Sequence, residues 1–62
     1  MNFLSLQLKP FAMLLSFEPM PKKDFMILAH RCAKSSQRNL VSLLEMTQFS
    51  KVYRKDNEIV LE

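Results

Sequence analysis

From Leu4 to Lys9 the chain alternates strictly, with Leu4, Leu6 and Leu8 on one side and Ser5, Gln7 and Lys9 on the other. This is the period of a half-buried strand, and it predicts an N-terminal strand over residues 4–9 that Pro10 ends. Phe11 to Phe17 fits two patterns. One is a short helix with Pro10 near its first turn, and the other is a second strand with Phe11, Met13, Leu15 and Phe17 on one face; the helix is the preferred reading. Glu18 to Lys23 carries two prolines and two lysines and reads as a loop, because proline removes a backbone donor and disfavours helix in the residue before it.

Asp24 is suited to cap a helix over residues 25–34, accepting from the amides of the first turn with help from the helix dipole. Phe25, Leu28, Ala29, Cys32 and Ala33 then form an apolar stripe at spacings of three and four, and Ile27, His30, Arg31 and Lys34 fall opposite. Ser35 and Ser36 interrupt the pattern and supply the cap of a second helix over residues 37–48, with Leu40, Leu43, Leu44 and Thr47 inward. Residues 51–62 read as a β-hairpin closed by Asp56-Asn57, residue types that tolerate positive φ. That turn sets Lys55 against Glu58, Arg54 against Ile59, Tyr53 against Val60, Val52 against Leu61 and Lys51 against Glu62. Two of these pairs are of opposite charge and two are apolar, the kinds of neighbour worth about 0.2–1 kcal/mol each. The expected fold is α+β in a single small domain, residues 1–62: an N-terminal strand, two or three short helices and a C-terminal hairpin.

Size makes such a domain marginal. A chain of 62 residues buries only about 60% of its unfolded surface. The single Cys32 excludes an internal disulfide, and one His with one Cys cannot complete a zinc shell, so neither metal nor other cofactor is expected. Self-association is the remaining supplement, and a homodimer is expected; the 48% hydrophobic composition supports a dimer or docking onto a larger partner. The net charge of +3 and pI near 9.4 favour acidic partners. Phe11 to Phe17 resembles the apolar part of a signal peptide but lacks a cleavage pattern after it, and no run approaches the roughly 20 apolar residues of a membrane span. No membrane partner and a cytoplasmic location follow as expectations.

Candidate chemistry is sparse. On a helix His30 and Cys32 point about 200° apart and cannot share a metal or a proton. Cys32 reads as a small buried hydrophobe and His30 as a surface residue. The carboxylates Glu18, Asp24, Glu45, Asp56, Glu58 and Glu62 are scattered, and without a single glycine there is no phosphate-cradling loop. No catalytic activity and no small-molecule substrate are expected. Ile27 stands alone on an otherwise polar face: it is expected to be covered by the N-terminal segment, and if exposed near Val41 or Met46 it would mark a protein-binding patch.

Two helices on a tight turn followed by a basic hairpin is the order of winged helix-turn-helix domains. The runs Ser36-Gln37-Arg38-Asn39-Leu40-Val41-Ser42-Leu43-Leu44 and Val52-Tyr53-Arg54-Lys55-Asp56-Asn57-Glu58-Ile59-Val60-Leu61 resemble the recognition helix and wing of bacterial winged-helix regulators, over residues 25–62. The resemblance implies a winged-helix-like fold and DNA as partner. Arg38 and Asn39 are then suited to base edges, Ser42 to a base or phosphate, and Arg31, Lys34, Arg54 and Lys55 to phosphates. The chain departs from the family in having no glycine in the helix–helix turn, which Ser35-Ser36 must make unaided. It departs again in offering its third strand ahead of the helices rather than between the first two. The first reading is a small non-enzymatic regulator that binds DNA as a dimer. The rival is a protein-binding inhibitor or adaptor that docks on a larger protein through its apolar and basic surfaces. A peripheral membrane role for residues 3–17 ranks third, its cationic flank being too thin.

Overall fold

A computed structural model describes residues 7–62. The chain folds as α+β, with a 3-10 helix at Lys9–Leu14, strand β1 at Met20–Pro21, helix α1 at Lys22–Cys32, a 3-10 turn at Ser35–Gln37, helix α2 at Arg38–Met46, and strands β2 at Lys51–Lys55 and β3 at Glu58–Leu61. The three strands form one antiparallel sheet in the order β1-β2-β3.

The expected N-terminal strand is corrected where it can be seen. Residues 4–6 lie outside the described residues, and from Gln7 the chain is helical, not extended. Leu8 is buried and its carbonyl accepts from the Phe11 N–H at 2.8 Å. Leu8, Phe11, Ala12 and Leu15 all enter the core, a spacing of three, one and three that belongs to a helix. Pro10 sits at the start of this segment, where its fixed φ suits a first helical turn. The helical reading of Phe11 onward therefore holds, as a 3-10 helix that stops at Leu14.

The expected loop at residues 18–23 is also corrected. Met20 pairs with Val52 and Pro21 with Lys51, and the Lys22 N–H donates to Ser50 O at 2.8 Å. Proline is tolerated here because β1 is an edge strand and its missing N–H breaks no ladder. Pro21, extended at φ −62° and ψ 147°, is also the residue from which α1 starts. The helix thus begins three residues earlier than expected and ends two earlier, and Asp24 lies within the first turn, where its charge suits the dipole, rather than capping it. Phe25, Met26 and Ala29 face the core. Cys32 is exposed, not buried. It is the last residue of α1, and Ala29 is the last fully buried residue on that helix.

Between the helices, the Lys34 N–H donates to Gln37 Oε1 at 2.9 Å and the Gln37 N–H donates to Lys34 O at 2.8 Å. This reciprocal pair closes the turn without glycine, and no serine side chain caps α2. The inward stripe of α2 is Val41 and Leu44 with Leu40 partly buried; Leu43, expected inside, is half exposed. Leu43 lies about 100° around the helix from Leu44, while the compact Val41 closes against the core.

The hairpin has the expected register, Val52↔Leu61, Tyr53↔Val60, Arg54↔Ile59 and Lys55↔Glu58, continued by backbone bonds between Lys51 and Glu62. Asp56 adopts φ 56° in the turn, whereas Asn57 does not take a positive φ. Val52 and Ile59 point into the core, which gathers Leu8, Phe11, Ala12, Leu15, Phe25, Met26, Ala29, Val41 and Leu44 around them. Full burial of a side chain such as Phe25 or Leu44 contributes about 1.5–3 kcal/mol.

One side chain ties the start of α1 to the end of α2. Lys22 Nζ donates to Glu45 O at 2.8 Å and to Thr47 O at 2.9 Å, and lies 4.8 Å from the Phe49 ring centroid. An ammonium at the negative end of α2 satisfies carbonyls that the helix itself leaves open.

Candidate nucleic-acid interface

With Val41 and Leu44 inward, Arg38, Asn39, Ser42, Glu45 and Met46 form the solvent side of α2, all exposed. Arg38 and Ser42, one turn apart, line a small cleft of about 90 Å³ with His30, Ala33 and Val41. Arg38 opens α2 at its N-terminus, where no acidic residue accompanies it. A cation there opposes the helix dipole, so the helix gains nothing from it.

Glu45, one turn beyond Ser42, has a partner within the chain. His30 Nε2 lies 2.8 Å from Glu45 Oε1, a hydrogen bond that becomes an ion pair when the ring is protonated. Both side chains are about half exposed, at 51% and 55%, so the contact is worth little for stability. It does engage the one carboxylate of α2. Arg31 and Lys34 are exposed at the end of α1 and just past it.

On the hairpin the alternation of the strand divides the basic residues. Arg54 shares the inward side with Val52 and Ile59 and is half-buried. Its guanidinium lies 5.0 Å from the Phe17 ring centroid, its backbone N–H donates to Ser16 O at 2.9 Å, and its Nε is buried with no hydrogen-bond partner among the described residues. Arg54 thus pins residues 16–17 to β2 instead of standing free to meet a phosphate. Lys55 is exposed on the outer side, and so is Lys51, which sequence reasoning had not counted. The strand period of two sets Lys51 on the same side as Lys55. Between them on that side, the Tyr53 hydroxyl donates to Glu62 Oε2 at 3.2 Å. Partial burial and the neighbouring carboxylate push the Tyr53 pKa above its usual 10.0.

Of the seven residues picked from the sequence, α2 therefore presents Arg38, Asn39 and Ser42 on one exposed side, Arg31 and Lys34 stand exposed near its start, Lys55 stands exposed on the hairpin, and Arg54 is turned inward. The expectation that Ile27 is covered is corrected: it is 52% exposed, on the side of α1 facing Glu45. Val41, the neighbour proposed for it, is buried, while Met46 is 81% exposed. Among the described residues no group of three or more His, Cys, Asp or Glu is placed to hold a metal, and no helix is long and apolar enough to cross a membrane. Comparison of the chain with protein-family models, curated proteins and solved structures finds no match.

Proposed function

We propose that this chain is a DNA-binding module of winged-helix type, acting as a homodimer, with α2 laid in the major groove and the hairpin against the phosphate backbone. The observation that carries the reading is the order of elements around the exposed side of α2. A helical segment is followed by a short strand, then two helices on a tight turn, then a hairpin, and the third strand of the sheet lies between the first two helical segments. That removes the departure caused by expecting the strand at residues 4–9. Arg38 and Asn39 then meet base edges and Ser42 a base or phosphate, while Arg31, Lys34 and Lys55 neutralise phosphates. Arg54 serves the wing indirectly, by fixing β2 to Phe17.

The test is fluorescence anisotropy with labelled duplex DNA at about 50 mM salt, where electrostatic contacts are strong. Binding is expected, and Arg38→Ala combined with Lys55→Ala is expected to cost about 1–3 kcal/mol without changing the circular dichroism spectrum. Affinity that is undetectable at low salt would remove the proposal.

A second reading is favoured by one observation, the exposure of Met13 at 83%, Phe17 at 65%, Ile27 and Met46. These apolar side chains suit an adaptor or inhibitor that docks on a larger protein. Under that reading Met46→Asp weakens partner binding and Arg38→Ala does not.

A further inference from the structure

An open groove of about 550 Å³ lies between α1 and α2, lined by Lys22, Lys23, Met26, Ile27, His30 and Glu45. Its apolar surface comes from the edge of the buried Met26 and from Ile27, which no element of the described chain covers. α1 supplies the apolar floor through Met26 and Ile27 and α2 the opposite wall through Glu45, a shape against which a third helix can lay its apolar face, with anchors one turn apart.

The charge around the groove decides between occupants. Glu45, its one carboxylate, is engaged by His30 Nε2 at 2.8 Å. The Lys22 ammonium is held by the carbonyls of Glu45 and Thr47, so its charge stays at the groove wall. Lys23 is exposed, and Arg31, one turn after Ile27, is exposed as well. Against these stands Asp24, three residues before Ile27, also exposed. The balance presented to a partner is positive. A second copy of this chain brought up by a two-fold axis would set one cationic rim against another, which costs energy.

We infer that the α1–α2 groove, centred on Ile27 and rimmed by Lys23, binds an acidic amphipathic helix of a partner protein. The partner's apolar residues at i, i+3 and i+4 cover Ile27 and Met26, and its Asp or Glu residues meet Lys23 and Arg31. This rests on the protein-docking reading and gives it a location and a chemistry; it does not depend on DNA binding.

The probe is a synthetic helix-forming peptide of about 15 residues, roughly four turns, with leucines on one face and glutamates elsewhere, added to the full isotope-labelled chain. Amide shifts are expected at Lys23, Ile27 and His30, with little change in the hairpin. Ile27→Asp is expected to weaken binding by about tenfold or more. Lys23→Glu, at an exposed position that leaves the core untouched, is expected to weaken it less and to make affinity less sensitive to salt. The inference is overturned if the peptide shifts none of these amides, if a lysine-for-glutamate version binds as well, or if Ile27→Asp leaves affinity unchanged. Sedimentation showing a dimer that Ile27→Asp dissociates would overturn it in favour of a second copy. A groove that stays empty while Met46→Asp abolishes capture of a protein partner would sink this inference and leave the wider docking reading standing.

Discussion

Tyr53 and Arg54 are neighbours on β2, and the strand period sends them to opposite sides with opposite fates. Arg54 goes inward and trades full solvation for a place over Phe17, leaving its Nε buried with no hydrogen-bond partner among the described residues. An unmade bond at a buried polar atom is unfavourable, so packing and the aromatic contact hold this side chain in place. Tyr53 goes outward and donates to Glu62. Partial burial, then the hydrogen bond and charge of Glu62, raise its pKa above 10.0. Folding therefore favours the protonated phenol. The resulting stabilisation is complete below the unfolded-state value of 10.0 and is lost as pH rises through the raised folded-state value. Urea midpoints taken from about pH 9 upward are expected to fall more for the native chain than for Tyr53→Phe, which has no such proton to lose. Parallel curves would mean that the Tyr53–Glu62 contact contributes nothing in solution.

At the scale of elements, a polar link joins Lys22, the first residue of α1, to the C-terminal carbonyls of α2. Lys22→Met keeps most of the apolar stem and removes both charge-assisted bonds. The expected loss is about 1 kcal/mol, smaller than two such bonds could give because the site is partly solvated. Chemical denaturation measures it, and amide exchange should quicken in the last turn of α2 before it does elsewhere. An unchanged midpoint would show that the cap does not form. None of this link was legible in the sequence, because residues 22 and 45–47 have no local relation. The hairpin was legible to the residue, since its register follows from neighbours a few positions apart whose charges and shapes match in only one pairing. β1 was not: two residues with a proline read as a loop, and only Val52 and Lys51, some thirty positions on, make them a strand. Near the N-terminus the alternation through Lys9 competed with the stripe Leu8, Phe11, Ala12 and Leu15, and the stripe prevailed because it continues into the core. On α2 the two candidate stripes share Leu40 and Leu44, and only tertiary packing chose Val41 over Leu43. The candidate site was legible as exposed residues of α2, whereas the side taken by Arg54 needed the strand period applied to each basic residue in turn.

For the whole molecule, a net charge of +3 is too small for strong non-specific attraction, so any DNA affinity must come from where the cations sit. On the DNA-binding proposal, three exposed cations, Arg31, Lys34 and Lys55, meet phosphates, while Lys22 is spent on α2 and Arg54 on Phe17. Each phosphate neutralised releases counterions and adds about −0.9 to the slope of log K against log salt. One protomer on duplex DNA should therefore show a slope of about −3, and a homodimer with both copies engaged about −5 to −6. The difference reads stoichiometry and site together. Lys34→Ala is expected to reduce the slope by about one per protomer without altering sequence preference, because a phosphate contact carries no base information. Arg38→Ala should do the reverse, relaxing preference at one position with little change in slope. A slope near zero, or one that Lys34→Ala and Lys55→Ala leave untouched, would show that these cations do not meet phosphates.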